Sequence, residues 1–227
     1  MFDAIAARYD LLNHLLSAGI DRRWRKLAIR SLHLTGRETV LDVCTGTADL
    51  AIAAVDGANG SHGARRVLGV DFAREMLRIA ADKLRRGRLE NRVRLARGDA
   101  TRIPAPASVF DAVTVAFGIR NVEDTAAACR EMCRVLKPGG RLAVLEFAIP
   151  SMPLIRRVYL WYFDQVLPRI GRLVSRHNAA YGYLPASVGA FSTPDEFVKI
   201  LRQSGFTEIA AVPLTLGIVF LYTGRKG

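Results

Sequence analysis

The feature that most constrains this chain is the stretch Val40-Leu41-Asp42-Val43-Cys44-Thr45-Gly46-Thr47-Ala48-Asp49-Leu50-Ala51. A short β-branched run enters a turn of small residues and leaves it as a helical pattern that reaches Val55. An apolar strand coupled this way to a helix belongs in a sheet with both faces covered. The alternation continues: strand-like runs recur at 66–70, 92–96, 110–116 and 141–147, with helical patterns near 73–86 and 123–136. The last of these ends at Lys137-Pro138-Gly139-Gly140, a basic final turn followed by helix-stopping residues. Strands and helices alternating at this spacing build βαβ units and a doubly wound, mostly parallel sheet.

Two further strands, near 207–213 and 217–223, bring the expected α/β sheet to seven strands. They follow a helix whose start carries a capping hydroxyl, a proline and an acid in Thr193-Pro194-Asp195-Glu196, and which Gly205-Phe206 ends. Residues 3–35 read as two helices, with Trp24, Leu27, Ala28, Ser31 and Leu32 on the apolar face of the second. Between 150 and 191 the alternation stops and an apolar-aromatic segment intervenes. The expected organisation is one domain over 1–227, with a helical cover at 1–36 and a helical lid insert at 150–191, before the last two strands.

Composition narrows the function classes. With 227 residues, half of them hydrophobic, the chain can bury a core without disulfide staples. Cys44, Cys129 and Cys133 form no even framework, and Cys129 and Cys133, four apart, read as small core residues of one helix face. His14, His33, His62 and His177 lack ligand spacing, so no metal site is expected. The start lacks a signal-peptide pattern and no apolar run is long enough to span a bilayer, so a cytoplasmic protein is expected. The formal charge of +12, with 28 of 33 basic side chains arginine, admits an anionic partner without choosing one.

The first turn has only Gly46 and lacks the G-x-G-x-x-G of dinucleotide binders, so pyrophosphate is disfavoured. Asp71 closes the next strand, where an acid can accept both ribose hydroxyls, and Gly98-Asp99-Ala100 follows the third, where an acid can meet the exocyclic amine of adenine. Each also has a plain structural use, Asp71 as a helix cap and Asp99 in a turn. In order on successive strand ends they describe a pocket for a nucleoside without phosphates.

This pattern resembles the class I methyltransferases. The resemblance narrows at Phe117-Gly118-Ile119-Arg120-Asn121-Val122, at Arg134-Val135-Leu136-Lys137-Pro138-Gly139-Gly140 and in the N-terminal block Tyr9-Asp10-Leu11-Leu12-Asn13, Leu16-Ser17-Ala18-Gly19 and Trp24-Arg25. Together these resemble the ubiquinone/menaquinone biosynthesis C-methyltransferase family (UbiE/MenG type), over essentially the whole chain. The first turn, Thr45-Gly46-Thr47-Ala48-Asp49, is closer to the menaquinone branch than the Gly-Gly-Thr-Gly-Asp common in the family. Ala116 stands where some members carry a hydroxyl, and the chain opens abruptly at the first motif, as if a few residues precede it.

The resemblance implies a Rossmann-like methyltransferase sheet and S-adenosylmethionine as cofactor. Asp42, Thr45, Gly46, Thr47 and Asp49 of the first turn would hold it, with Asp71, Asp99, Ala100 and Phe117 from the following strand ends. It also implies a polyprenyl quinol as substrate, methylated on a ring carbon. A phenol ionises near pH ~10, so the site must stabilise a developing phenolate at neutral pH. Arg120, always charged, suits that role as a catalytic and substrate-side group, and Asn121 can orient the hydroxyl or a relaying water. Tyr9 is a substrate-side candidate; Tyr9, His14, His177, Tyr181 and Tyr183 are the candidates for a base. As a plain alternative, Arg120-Asn121 is a surface turn with Asn121 capping the next helix.

From Ser151 to Ala190 five arginines face one aspartate, flanking Leu154, Trp161, Tyr162 and Phe163. Such a segment suits a membrane interface on the inner face of the bilayer, or a lid packed on its own domain or on a second copy in a homodimer. Nucleic acid is not an expected partner, because the Arg-rich stretch from Arg65 to Arg102 also carries Asp71, Glu75, Asp82, Glu90 and Asp99 and no base-flipping motif is present. Another small-molecule O- or N-methyltransferase, or a non-catalytic cofactor- or prenyl-lipid-binding component, is the alternative.

Overall fold

In the computed structural model, which describes residues 19–57, 62–162, 165 and 186–227, the apolar runs form one seven-stranded sheet of order β3-β2-β1-β4-β5-β7-β6. The strands are β1 (Thr39–Val43), β2 (Arg66–Asp71), β3 (Val93–Arg97), β4 (Phe110–Ala116), β5 (Leu136–Phe147), β6 (Phe206–Leu214) and β7 (Val219–Lys226). The first five are parallel; β7 runs antiparallel between β5 and β6. The order reverses between β1 and β4, the switch point where doubly wound sheets bind ligands outside the strand carboxyl ends.

The strand period of two sends alternate residues of β1 to opposite sides. Val40 joins a core with helices α1 (Asp21–Ser31), α2 (Asp49–Asp56) and α3 (Arg74–Gly87), through Ala28, Ala54 and Leu84. Leu41 and Val43 join a second core with α4 (Thr125–Val135) and α6 (Pro194–Gln203), through Met132, Phe197 and Leu201. Cys129 and Cys133 sit in that second core, and burial pushes both thiols up. Helix α6 starts with the full capping box expected, Thr193 and Glu196 each bonding the other's backbone N–H. Helix α5 (Pro153–Trp161) lies in the insert, of which residues 150–162, 165 and 186–191 are described.

Two local expectations are corrected. Lys137-Pro138-Gly139-Gly140 does not lie between a helix and a strand; it is a bulge within β5, which begins at Leu136. The pairing with β4 jumps from Phe110–Leu136 to Ala112–Arg141, with Gly139 at φ +71° and Pro138 offering no N–H to the ladder. On α1 the buried stripe is Asp21, Trp24, Arg25, Ala28 and Ile29, while Leu27 is exposed. The helix is rotated from the expected face because Asp21 and Arg25 pair inside the protein. The first N-terminal helix expected, Tyr9 and the other candidate bases lie outside the described residues.

Candidate active site

A cavity of about 640 Å³ opens at the carboxyl ends of β1 to β4. Its floor is the first turn, where Cys44, Gly46 and Ala48 all have positive φ. Ala48 adopts the left-handed conformation just before α2, and its N–H donates to the Thr45 carbonyl at 2.9 Å. Nothing lies within 4 Å of where a Gly46 side chain would project, so the backbone there is open to a ligand. Gly118, beyond β4, is required for the opposite reason: an added Cβ would lie 2.3 Å from the Cys44 Cβ, so the two loops that flank the switch point touch only through a glycine.

The expected cofactor residues fall into two groups. Gly46, Asp71, Asp99, Ala100 and Phe117 line the large cavity. Asp71 accepts the Gly46 N–H with one oxygen and the Ala73 N–H with the other, both at 2.8 Å, so it ties the first turn to the start of α3. Asp99 accepts the N–H and hydroxyl of Thr101 at 2.8 Å each; the Thr101 N–H, then its hydroxyl, hold the carboxyl below its usual range and keep it ionised. The turn use of Asp99 is therefore real, whereas Asp71 bonds the residue before α3 without capping that helix, which has no side-chain cap; both carboxylates still border the cavity.

Asp42, Thr45, Thr47 and Asp49 border a smaller annex of about 30 Å³. Asp42 is fully buried and accepts the hydroxyls of Thr45 at 2.6 Å and Thr114 at 2.7 Å. Desolvation pushes its carboxyl up from 3.8 to about 6 in spite of those two bonds. Asp49 pairs with Lys83 at 2.6 Å, and the same ammonium reaches the Thr47 hydroxyl at 3.2 Å. Burial, followed by the charges of Asp71, Asp42, Glu146 and Asp99, pushes the Cys44 thiol far up, which favours the neutral thiol.

Arg120 and Asn121 share the short 3₁₀ turn Ile119–Asn121 after β4. Asn121 lines the cavity and does not cap α4; Asp124 does that, accepting the Ala127 N–H at 2.8 Å. The Arg120 guanidinium is nearly buried and meets the fully buried Glu146 at 2.7 Å, the Phe117 carbonyl at 2.5 Å and Ser187 Oγ at 3.3 Å, over the Phe147 ring. Burial pushes the neighbouring Tyr159 phenol well up, with the Arg120 charge working against it. Arg120, unlike Asn121, is not among the residues lining the cavity; it is held between β4, β5 and the insert.

Sequence reasoning did not place Phe72, Met76 and Thr101 in the cavity wall, nor Glu146 in the site, and it named Arg25 only as part of the Trp24-Arg25 motif, without a role. Glu146 had a signal: a charged residue inside the apolar run Val144-Leu145-Glu146-Phe147 is buried only when paired. Phe72 is largely exposed at the end of β2, where its ring meets the Arg97 guanidinium at 5.4 Å. Nothing in a single residue between strand and helix announces that.

The sheet order, its antiparallel β7 and a cavity at the β1/β4 switch point define a methyltransferase-type Rossmann-like fold. A solved Thermotoga maritima structure described as a SAM-dependent methyltransferase shares this fold, with a TM-score of 0.66 at 18% identity over 100% of this chain and 98% of that one. The chain belongs to the ubiE/COQ5 methyltransferase family, whose model matches residues 1–226. It is 48% identical over 226 residues to the ubiquinone/menaquinone biosynthesis C-methyltransferase UbiE of Syntrophotalea carbinolica, covering 100% of this chain and 92% of that protein. It is 45% identical over 227 residues to the demethylmenaquinone methyltransferase of Deinococcus radiodurans, covering 100% and 91%.

Proposed function

We propose that this protein transfers a methyl group from S-adenosylmethionine to a ring carbon of a polyprenyl quinol, converting demethylmenaquinol to menaquinol, its benzoquinol counterpart, or both. The observation that carries the reading is the full-length match to a quinone C-methyltransferase family, on a chain whose cavity keeps Asp71 and Asp99 in order along successive strand ends. The residues suit the cofactor: the cavity volume is right for a nucleoside-sized ligand, and its carboxylates sit beside an open glycine backbone. Asp71 would accept the ribose hydroxyls, while Asp99 and Ala100 border the base and Phe117 and the first turn the amino-acid end. When bound, the sulfonium supplies the methyl group.

The chain's own part is alignment and charge. Holding the ring carbon in line with the methyl group removes much of the entropic barrier. Asn121, on the cavity wall, orients the hydroxyl or a relaying water. Arg120 supports the developing phenolate; since it is paired with Glu146, its contribution is directed N–H donation from a held guanidinium more than an uncompensated charge. Tyr9 remains the substrate-side residue of the N-terminal block.

A lipid substrate calls for contact with a bilayer, and α5 supports one. Leu154, Val158 and Trp161, at spacings of four and three, form an exposed apolar face beside exposed Arg156 and Arg157, while Tyr159 faces inward. Among the described residues no helix is long and apolar enough to cross a membrane. The protein is therefore read as peripheral at the inner membrane face, with the alternative that a second copy covers this face in a homodimer. The test is to offer the purified protein both reduced quinols with labelled S-adenosylmethionine: labelled quinol is the expected product, and no label in either quinol overturns the reading.

A further inference from the structure

The annex beside the first turn contains a cation that the quinol chemistry leaves unused. Arg25, from α1, is buried and lines the annex together with Asp42, Thr47 and Asp49. Its Nη1 pairs with Asp21, its Nη2 lies 3.5 Å from Asp49, and the guanidinium sits 5.9 Å from the centre of the Phe117 ring. Its Nε, fully buried, has no hydrogen-bond partner among the described residues. A buried N–H without an acceptor is costly, so an acceptor is expected from outside the fold.

Size and position say which acceptor. The annex has room for about two water-sized polar groups, and Cys44, Gly46, Ala116 and Phe117 line both it and the large cavity, so the two spaces meet across the first turn. With Asp71 and Asp99 bordering the nucleoside end, the opposite end of a long ligand reaches this turn. S-adenosylmethionine carries one anionic group, its carboxylate, at that end. Asp42 and Asp49 beside Arg25 suit the ammonium of the same amino acid, a zwitterion, and would repel a bare anion such as phosphate.

We infer that Arg25 is the residue that binds the cofactor's methionine carboxylate, a subsite supplied by the N-terminal helix α1 and completed when that helix docks on the first turn. This rests on the reading that the large cavity takes S-adenosylmethionine. Its test is calorimetric and needs no turnover, comparing S-adenosylhomocysteine, its decarboxylated analogue and methylthioadenosine, which lacks the amino-acid tail. Arg25→Met is expected to weaken S-adenosylhomocysteine about 10- to 100-fold while methylthioadenosine changes less than about threefold. Equal losses for both ligands, or none for the first, overturn the assignment. Should Arg25→Met fail to fold, its pairing with Asp21 being lost, the wild type decides: the decarboxylated analogue is expected to bind at least about tenfold more weakly, and equal affinity refutes a carboxylate site. If neither methylthioadenosine nor S-adenosylhomocysteine binds the wild type, the cofactor reading itself fails; if the tail adds no affinity to a nucleoside that binds, only the Arg25 assignment fails.

Discussion

Arg120 and Glu146 form a pair with almost no exposure to water, so neither can be removed alone without stranding the other's charge. Breaking such a pair costs about 3–5 kcal/mol, whereas replacing both partners with apolar residues is often nearly neutral. Glu146→Gln should therefore lower unfolding free energy in urea by about 3 kcal/mol, and Arg120→Leu with Glu146→Leu by much less than the two single changes together. That double variant is also the fair test of Arg120 in chemistry. It is expected to keep S-adenosylhomocysteine affinity and lose methyl transfer; near-normal turnover would show that the guanidinium is structural. Asp42 offers a pH signature. Its native carboxyl ionises near 6, above its unfolded value of 3.8, so its stabilising contribution is full below about pH 4 and is lost as pH rises through 6. Relative to Asp42→Asn, wild type should gain roughly 1 kcal/mol on going from pH ~7.5 to pH ~5. An unchanged difference would mean that Asp42 is not held up by burial.

Elements carry the membrane question. An amphipathic helix that shows Leu154, Val158 and Trp161 to solvent gains by burying them in an interface, and each nearby arginine adds about 1 kcal/mol on an anionic surface. The protein should float with anionic vesicles, float less at high salt, and lose binding in the double variant Leu154→Ser, Trp161→Ser. Binding indifferent to lipid charge and salt would remove the electrostatic part of the proposal. The elements were also the most legible level of the sequence. All seven strands and the helices between them follow from period-two and helical patterning, because a strand covered on both faces has few alternatives to an apolar run. The bulge at 137–140 was not legible, since Pro-Gly-Gly signals a helix stop and a strand irregularity alike. The rotation of α1 was missed because a charged pair, Asp21–Arg25, occupies part of the buried face, and hydrophobic patterning assigns charged residues to solvent.

At the scale of the whole molecule, the chain brings residues from four strand ends to one cavity, and their order along the sequence was readable before their geometry. What the sequence could not give was partnership across the fold. Glu146 meets Arg120 over 26 residues, Trp24 donates to Thr215 over 191, and Arg25 reaches the first turn from a helix that precedes the sheet. A fold of this kind supports methyl transfer to carbon, oxygen or nitrogen, so the central claim concerns where the methyl group goes. The most direct measurement uses S-adenosylmethionine carrying a ¹³C methyl group with reduced demethylmenaquinone and with the demethylated benzoquinol, and locates the label in the product by NMR. The expected result is a methyl group bonded to a ring carbon of one or both quinols; a label on the quinol oxygen, or none in either ring, would contradict it.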